Sequence, residues 1–309
     1  MENVLAFDLG GTKVAAAIID RDGQVVSTLK EKVQAEKGPD ALFDQMAQMA
    51  RQLIEKNKCT VCGIASAGPL DPVHGVLLDP TNFRTEKKSW GVLPILEEMK
   101  KRLPLIYLLE NDAAAAAVAE SWIGVARDVR NSLTITLGTG VGVGVIANGE
   151  LVRAGRHLHP EAGHMIIEHI KSDALCECGN YGCAEAYLSG VNFTKHMKTI
   201  LNLPNLNGEK LVEMARQKDK RVTEAFDEYG DKLAVFISNL VMLFAPEVIV
   251  LSGGFSSASD LFLDPTQARL NKLLVRHRKG VDMLPVIRVS KFANTAGLIG
   301  AAKFAFQKL

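Results

Sequence analysis

Phe7-Asp8-Leu9-Gly10-Gly11-Thr12-Lys13 closes an apolar run near the start of the chain, and Thr136-Leu137-Gly138-Thr139-Gly140-Val141-Gly142 repeats its form far downstream. The turn Asp22-Gly23 follows the first copy, and Asn148-Gly149 follows the second. Each copy reads strand, glycine turn, strand, hairpin turn, strand. Glycines at such a turn let the backbone come close to a ligand, and a run of bare N–H groups there makes an anion nest. Two such loops on duplicated halves, facing each other, would hold a polyphosphate. The repeat therefore predicts a nucleotide-using enzyme with its cleft between two related α/β domains.

The segments around these turns agree with that reading. Residues 40–57 carry helical periodicity, and a strand is expected at 60–66 before the turn Gly68-Pro69. A loop-rich stretch from Asp71 to Trp90 leads to a helix at 93–102 and the strand Leu105-Ile106-Tyr107-Leu108-Leu109. The second half opens with a helix at 112–124, for which Asp112 is a natural N-cap and the alanines are strong formers. After the second hairpin come a long loop rich in histidine and cysteine and a helical stretch at 209–245. The strand Val248-Ile249-Val250-Leu251, an amphipathic stretch at 258–276, a strand near 285–290 and a helix at 294–307 complete the chain. Strands alternating with helices argue for a layered α/β fold. The expected division is residues 1–111 plus 295–309 against 112–294, meeting through a hinge.

The 309 residues are 47% apolar and 23% charged, with a net charge of +1, which suits a soluble two-domain protein. So balanced a charge argues against nucleic acid or a membrane surface as a partner held by bulk electrostatics. The alanine-rich run after Asp112 is too short and too weakly apolar to span a bilayer. With no basic leader ahead of the first strand, the expected location is the cytoplasm. Five cysteines, an odd number, argue against a disulfide framework. Cys59 and Cys62 form a C-x-x-C that reads either as a redox or metal motif or as two core residues on opposite faces of a buried strand, and the strand reading is preferred.

Several side chains carry candidate chemistry. Asp8, beside the first glycine pair, would repel phosphate unless Mg²⁺ lay between, directly or through water; the alternative is a turn aspartate capping its own loop. Thr12 and Thr139 offer hydroxyls to phosphate oxygens, and Lys13 is either a further phosphate contact or a solvated strand residue. Ser252-Gly253-Gly254-Phe255 follows a buried strand, where a backbone nest would suit adenosine; a plain strand-to-helix turn explains it equally well. Within Glu110-Asn111-Asp112, Asp112 is the candidate base, accepting a hydroxyl proton as the O–P bond forms; its simpler role is the N-cap. His164 with Cys176, Cys178 and Cys183, in the pattern C-x-C-G-x-x-G-C, suits a closed tetrahedral structural Zn²⁺ site. His157, His159 and His169 read as loop-surface residues, though one of them could replace His164.

Taken together, these motifs resemble the ROK family of sugar kinases and repressors, in order along essentially the whole chain. The resemblance rests on Asp8-Leu9-Gly10-Gly11-Thr12-Lys13, Glu110-Asn111-Asp112, Leu137-Gly138-Thr139-Gly140-Val141-Gly142, Glu161-x-Gly163-His164 and Cys176-x-Cys178-Gly179-x-x-Gly182-Cys183-x-Glu185. It implies an actin-like, hexokinase-like (ribonuclease-H-like) fold of two α/β domains, ATP with Mg²⁺, and phosphorylation of a hexose at the 6-hydroxyl. It implies Asp112 as base, and Asn111, Asp112, Glu161, His164 and Glu185 as sugar contacts, with Gly68 lining the pocket. One His164 nitrogen would bind zinc while the other faced the sugar. A homodimer is implied as well.

Two departures from the family pattern stand out. Ala114 occupies a position where the family often has Asn. Asn82 and Trp90 are separated by the long basic stretch Phe83 to Ser89, which weakens Asn82 as a sugar contact and alters the expected pocket lip. Glucose is the expected hexose, and N-acetylglucosamine or N-acetylmannosamine is the alternative. A sugar-responsive repressor is disfavoured, because it needs a helix-turn-helix segment ahead of the first hairpin and only a few residues precede Val4. An actin-like structural ATPase leaves the cysteine loop and the sugar-type carboxylates unexplained.

Overall fold

The computed structural model describes residues 2–80, 83, 89–153, 155, 158–169, 173–274, 282–292 and 294–309. In chain order the elements are β1 (Asn3–Leu9), β2 (Lys13–Asp20), β3 (Val25–Lys32), α1 (Pro39–Ile54), β4 (Val61–Ser66), β5 (Leu70–Asp71), β6 (Val76–Leu78), β7 (Val92–Leu93), α2 (Ile95–Arg102), β8 (Ile106–Asn111) and α3 (Asp112–Trp122). There follow β9 (Ser132–Leu137), β10 (Val141–Ala147), β11 (Glu150–Leu151), α4 (Ala184–Leu188), α5 (Gly190–Leu201), α6 (Gly208–Arg216), α7 (Lys220–Phe244), β12 (Val248–Ser252), α8 (Leu263–Leu274), β13 (Val286–Val289) and α9 (Ala296–Phe306).

Two five-stranded sheets share one plan. The first runs β3-β2-β1-β4-β8 and the second β11-β10-β9-β12-β13. In each, an antiparallel hairpin (β1 with β2, β9 with β10) continues into parallel strands (β1-β4-β8, β9-β12-β13). The duplicated glycine turns sit at the same point of both sheets, between the two strands of the hairpin. β4 is buried along its whole length, as a parallel central strand must be, while the edge strand β3 is largely exposed.

The chain divides into two compact units: Met1–Arg127 with Leu151–Pro160 and Thr295–Leu309, and Asp128–Glu150 with Glu161–Asn294. The division expected after residue 111 thus differs from the observed one, in which α3 belongs to the first unit. Small residues explain why. A Cβ on Gly300 of α9 would stand 1.9 Å from the Ala115 carbonyl oxygen of α3, and one on Gly63 of β4 would stand 2.0 Å from that of Ala301. Helix α9 therefore beds directly onto α3 and the first sheet. The rest of that unit's core gathers β1, β2, α1 and β4 around Phe7, Ile18, Phe43, Met46 and Ile64.

The second unit centres on five rings, Phe193, Phe226, Tyr229, Phe255 and Phe262, with Phe255 stacked on both Phe226 and Phe262. The Tyr229 hydroxyl donates to the Leu188 carbonyl at 2.8 Å.

Several local expectations need correction. The helical stretch expected at 209–245 is two helices, because Lys218 takes a positive φ and Asp219 caps α7. The amphipathic stretch at 258–276 is a 3-10 segment, Gly254–Leu261, followed by α8. The long cysteine loop ends in α4 and α5. Cys59 precedes β4, so strand alternation does not separate it from Cys62, and both thiols lie in one buried cluster. Among the described residues, no helix is long and apolar enough to cross a membrane.

Candidate active site

In the first unit the strand ends of the first sheet collect carboxylates. Asp8 pairs across the sheet with Ala65 of β4, and Ala65 pairs with Glu110 of β8. Asp8 keeps a solvent-accessible edge, yet protein encloses most of its surroundings. That burial, and next the charge of Asp112, push its carboxyl from 3.8 to about 7, while Lys30 pulls the other way. Gly297 of α9 approaches Asp8 so closely that a Cβ would stand 2.8 Å from the carboxylate. Crowded, charge-opposed acids of this kind favour a divalent cation or a shared proton. The adjoining turn closes with the Gly10 N–H donating to the Lys13 carbonyl at 3.0 Å, with Gly11 partly exposed and Thr12 and Lys13 open to solvent.

The N-cap expectation for Asp112 is overturned. Asn111 caps α3: its Oδ1 accepts from the Ala113 and Ala114 N–H groups at 2.9 and 3.1 Å. Asp112 is the first helical residue, half-buried, and its Oδ1 accepts from the Ala113 N–H at 2.8 Å. A carboxylate at a helix N-terminus is favoured by the helix dipole. Ala114, in the position where Asn is frequent in the family, is buried and fills core space. Gly68 is half-buried just beyond β4. Trp90 stacks on fully buried Phe83 at 5.8 Å, whereas Asn82 and residues 84–88 lie outside the described residues.

In the second unit, the Gly138-Thr139-Gly140 turn and the Gly253-Gly254 turn lie against each other. Gly253 has φ +85°, and a Cβ there would stand 2.5 Å from the Leu137 carbonyl oxygen. No other residue fits. Gly138 donates to the Gly140 carbonyl at 3.0 Å, its own carbonyl accepts from Gly190 at the start of α5, and Thr139 is exposed. Phe255, next to Gly254, anchors this pair of turns in the aromatic core. The sequence reading missed that role, since only the G-G-F adjacency signalled it.

The cysteine loop brings together the four residues expected to hold a metal. The ligand atoms of His164, Cys176, Cys178 and Cys183 all lie within 4.8 Å of one another. The sulfurs of Cys178 and Cys183 are 3.7 Å apart, and Cys176 Sγ is 3.5 Å from His164 Nδ1. A tetrahedral Zn²⁺ with ordinary bond lengths sets sulfur–sulfur edges of about 3.8 Å and sulfur–nitrogen edges of about 3.6 Å, so this donor set fits zinc in both chemistry and spacing. His159 and His169 are not in the cluster, and His157 lies outside the described residues.

His164 Nε2 points the other way, 4.0 Å from Glu161 Oε2. Glu185 is more committed than a free sugar contact. Its Oε2 accepts from the Val141 N–H at 2.9 Å, and its Oε1 lies 3.6 Å from Cys176 Sγ. The acid thus links the cysteine–histidine cluster to the second glycine turn, and Gly140 must lack a side chain because a Cβ would stand 2.5 Å from Glu185 Oε2.

Two sheets of identical plan, a glycine turn at the hairpin of each, and strand-end carboxylates define the class: this is the two-domain actin-like ATPase fold. The protein belongs to the ROK family, whose model matches residues 4–308. A glucokinase of Streptomyces coelicolor is 30% identical, with 97% of this chain and 96% of that one aligned. An N-acetyl-D-glucosamine kinase of Escherichia fergusonii is 27% identical over 96% of this chain and 97% of its own. Among solved structures, the ROK family glucokinase from Streptomyces griseus in complex with glucose and AMPPNP superposes with a TM-score of 0.84, at 28% identity and covering 99% of both chains.

Proposed function

We propose that the protein is an ATP-dependent hexose kinase that phosphorylates the sugar 6-hydroxyl, with glucose as its sugar. The observation that carries this reading is the position of Asp112: Asn111 takes over the capping, which leaves the Asp112 carboxylate at a helix N-terminus as base. As the hexose oxygen bonds to the γ-phosphorus and the bond to the ADP oxygen breaks, Asp112 Oδ accepts the hydroxyl proton and later passes it to solvent. Asn111 in the first unit, and Glu161, His164 and Glu185 in the second, would contact sugar hydroxyls, and Gly68 would let the sugar approach the backbone. The glycine turns at Gly10, Gly11, Gly138 and Gly140, with Thr12, Thr139 and Lys13, would bind phosphate oxygens, and Gly253-Gly254 the adenosine.

Asp8 would hold Mg²⁺, directly or through water; when bound, the ion offsets charge on the phosphates. His164, Cys176, Cys178 and Cys183 would hold Zn²⁺, which when bound fixes the loop that carries Glu161 and Glu185.

An N-acetylhexosamine kinase is the second reading, favoured by the likeness to the N-acetyl-D-glucosamine kinase. ADP release from Mg-ATP across glucose, mannose, fructose, N-acetylglucosamine and N-acetylmannosamine separates the two. Preference for glucose supports the first, preference for an acetylated sugar moves the assignment, and turnover of none refutes both. We also propose a homodimer acting in the cytoplasm. Light scattering of the eluted protein tests the dimer, and a monomer mass removes it.

A further inference from the structure

We infer that Arg153 is a positioning residue for the phosphoryl-transfer base, acting through Glu110. The inference rests on the kinase reading for its catalytic consequence, and on geometry alone for its structural one.

Glu110 is the most deeply buried acid of the Glu110-Asn111-Asp112 motif, with 3% of its surface exposed. Its Oε1 accepts from the Asn111 N–H at 3.0 Å, and its Oε2 is paired with the Arg153 guanidinium. Asn111 in turn holds the first turn of α3 through its side chain, and Asp112 starts that turn. A continuous chain of hydrogen bonds therefore runs from Arg153 through Glu110 and Asn111 to the base. Arg153 is itself located, its Cζ standing 5.9 Å from the Phe304 ring centroid on α9.

The charge arithmetic explains why a cation is needed. Glu110, Asp112 and Asp8 gather at neighbouring strand ends, and among the described residues Arg153 is the sole cation paired with Glu110. A buried carboxylate stripped of its partner is left uncompensated and is drawn toward water. The Oε1 acceptor then turns away from the Asn111 N–H, and the capped turn loosens. Arg153 remains 38% exposed, so it can lose its partner without being stranded in the core. The two ends of the pair are thus unequal: losing the cation is harmful, while neutralising the acid is mild. Glu110→Gln keeps an oxygen for the Asn111 N–H and removes the need for a cation.

The test is a double-mutant cycle of Arg153→Gln, Glu110→Gln and the pair, with two readouts. With a hexose and Mg-ATP, R153Q should lower kcat by 10- to 100-fold while KM for ATP changes less than threefold. E110Q should stay within about fivefold of the wild type, and R153Q/E110Q should return to the level of E110Q. The second readout, amide hydrogen exchange at Ala113 and Ala114, requires no catalysis: R153Q should speed it at least tenfold and the double variant should restore it. A double variant as impaired as R153Q overturns the inference, because Arg153 would then act on substrate directly. Unchanged exchange in R153Q overturns it too. If the wild type phosphorylates no hexose yet exchange follows the expected pattern, the kinase reading fails and the positioning role stands.

Discussion

Replacing Asp8 by asparagine should reshape how stability depends on pH. In the folded protein burial, followed by the Asp112 charge, raises the Asp8 carboxyl to about 7 from 3.8. Between those values the folded state holds a proton that the unfolded state has released. Stability contributed by Asp8 is therefore complete below pH 3.8, falls as pH rises through the window, and levels off above 7. Integrated with 1.36 kcal/mol per pKa unit, the loss is about 2 kcal/mol at pH 5 and about 4 kcal/mol at pH 8. An amide cannot ionise, so D8N should gain about 2.5 kcal/mol on the wild type between pH 5 and pH 8, whatever its offset at one pH. Urea unfolding at both pH values, in Mg²⁺-free buffer without nucleotide, measures this as the change in the gap between the two proteins. A gap that stays constant from pH 5 to 8 would refute the reasoning, since Asp8 would then titrate alike in both states. Millimolar Mg²⁺ with nucleotide should close the gap at pH 8, because the ion stabilises the ionised carboxylate.

Asp112→Ala should lower kcat by about 10²- to 10⁴-fold while nucleotide affinity by calorimetry stays within a few-fold, and near-normal turnover would remove Asp112 from the mechanism. Cys178→Ser should reduce the zinc found by mass spectrometry to below one per chain and lower Tm, since metal binding at such a cluster is folding free energy; an unchanged Tm with zinc lost would deny the metal a structural role. Gly300→Ala should destabilise the protein by about 3 kcal/mol, because its methyl group would meet the Ala115 carbonyl oxygen at 1.9 Å and force α3 from α9; a loss below about 1 kcal/mol in denaturant would show that the helices separate freely. Gly140→Ala should weaken nucleotide binding at least tenfold through the displaced Glu185 carboxylate, and unaltered affinity would uncouple that acid from the glycine turn.

The duplicated turns were legible because glycine spacing is a backbone property, written in the residues themselves. The cluster of His164 with Cys176, Cys178 and Cys183 was legible for a similar reason: three cysteines and a histidine within one loop leave few other arrangements. Asn111 as the cap of α3 was not, because Asn and Asp both cap well and only the backbone geometry shows which residue starts the helix. Nor was the true place of α3. The alanine run marks a helix, but its seat is set by Gly300 on α9, far away in sequence. Arg153 and the double commitment of Glu185 were hidden for the same reason, since a contact between distant residues leaves no local pattern. The break at Lys218 was missed because helical periodicity continued across it.

The late arrival of α9 has a consequence for how the protein is made. The first unit needs Gly297, Gly300 and Ala301 to fill the seat formed by Asp8, Ala115 and Gly63, yet these residues are synthesised only after residues 128–294. Residues 128–294, nearly all of them the second unit's, are synthesised in between, which takes about 10–30 s of elongation at ordinary rates. During that interval the first sheet waits for α9, while the second unit gains its strands, helices and aromatic core. Helix α9 can therefore take its seat on the first sheet only after most of the second unit has been made.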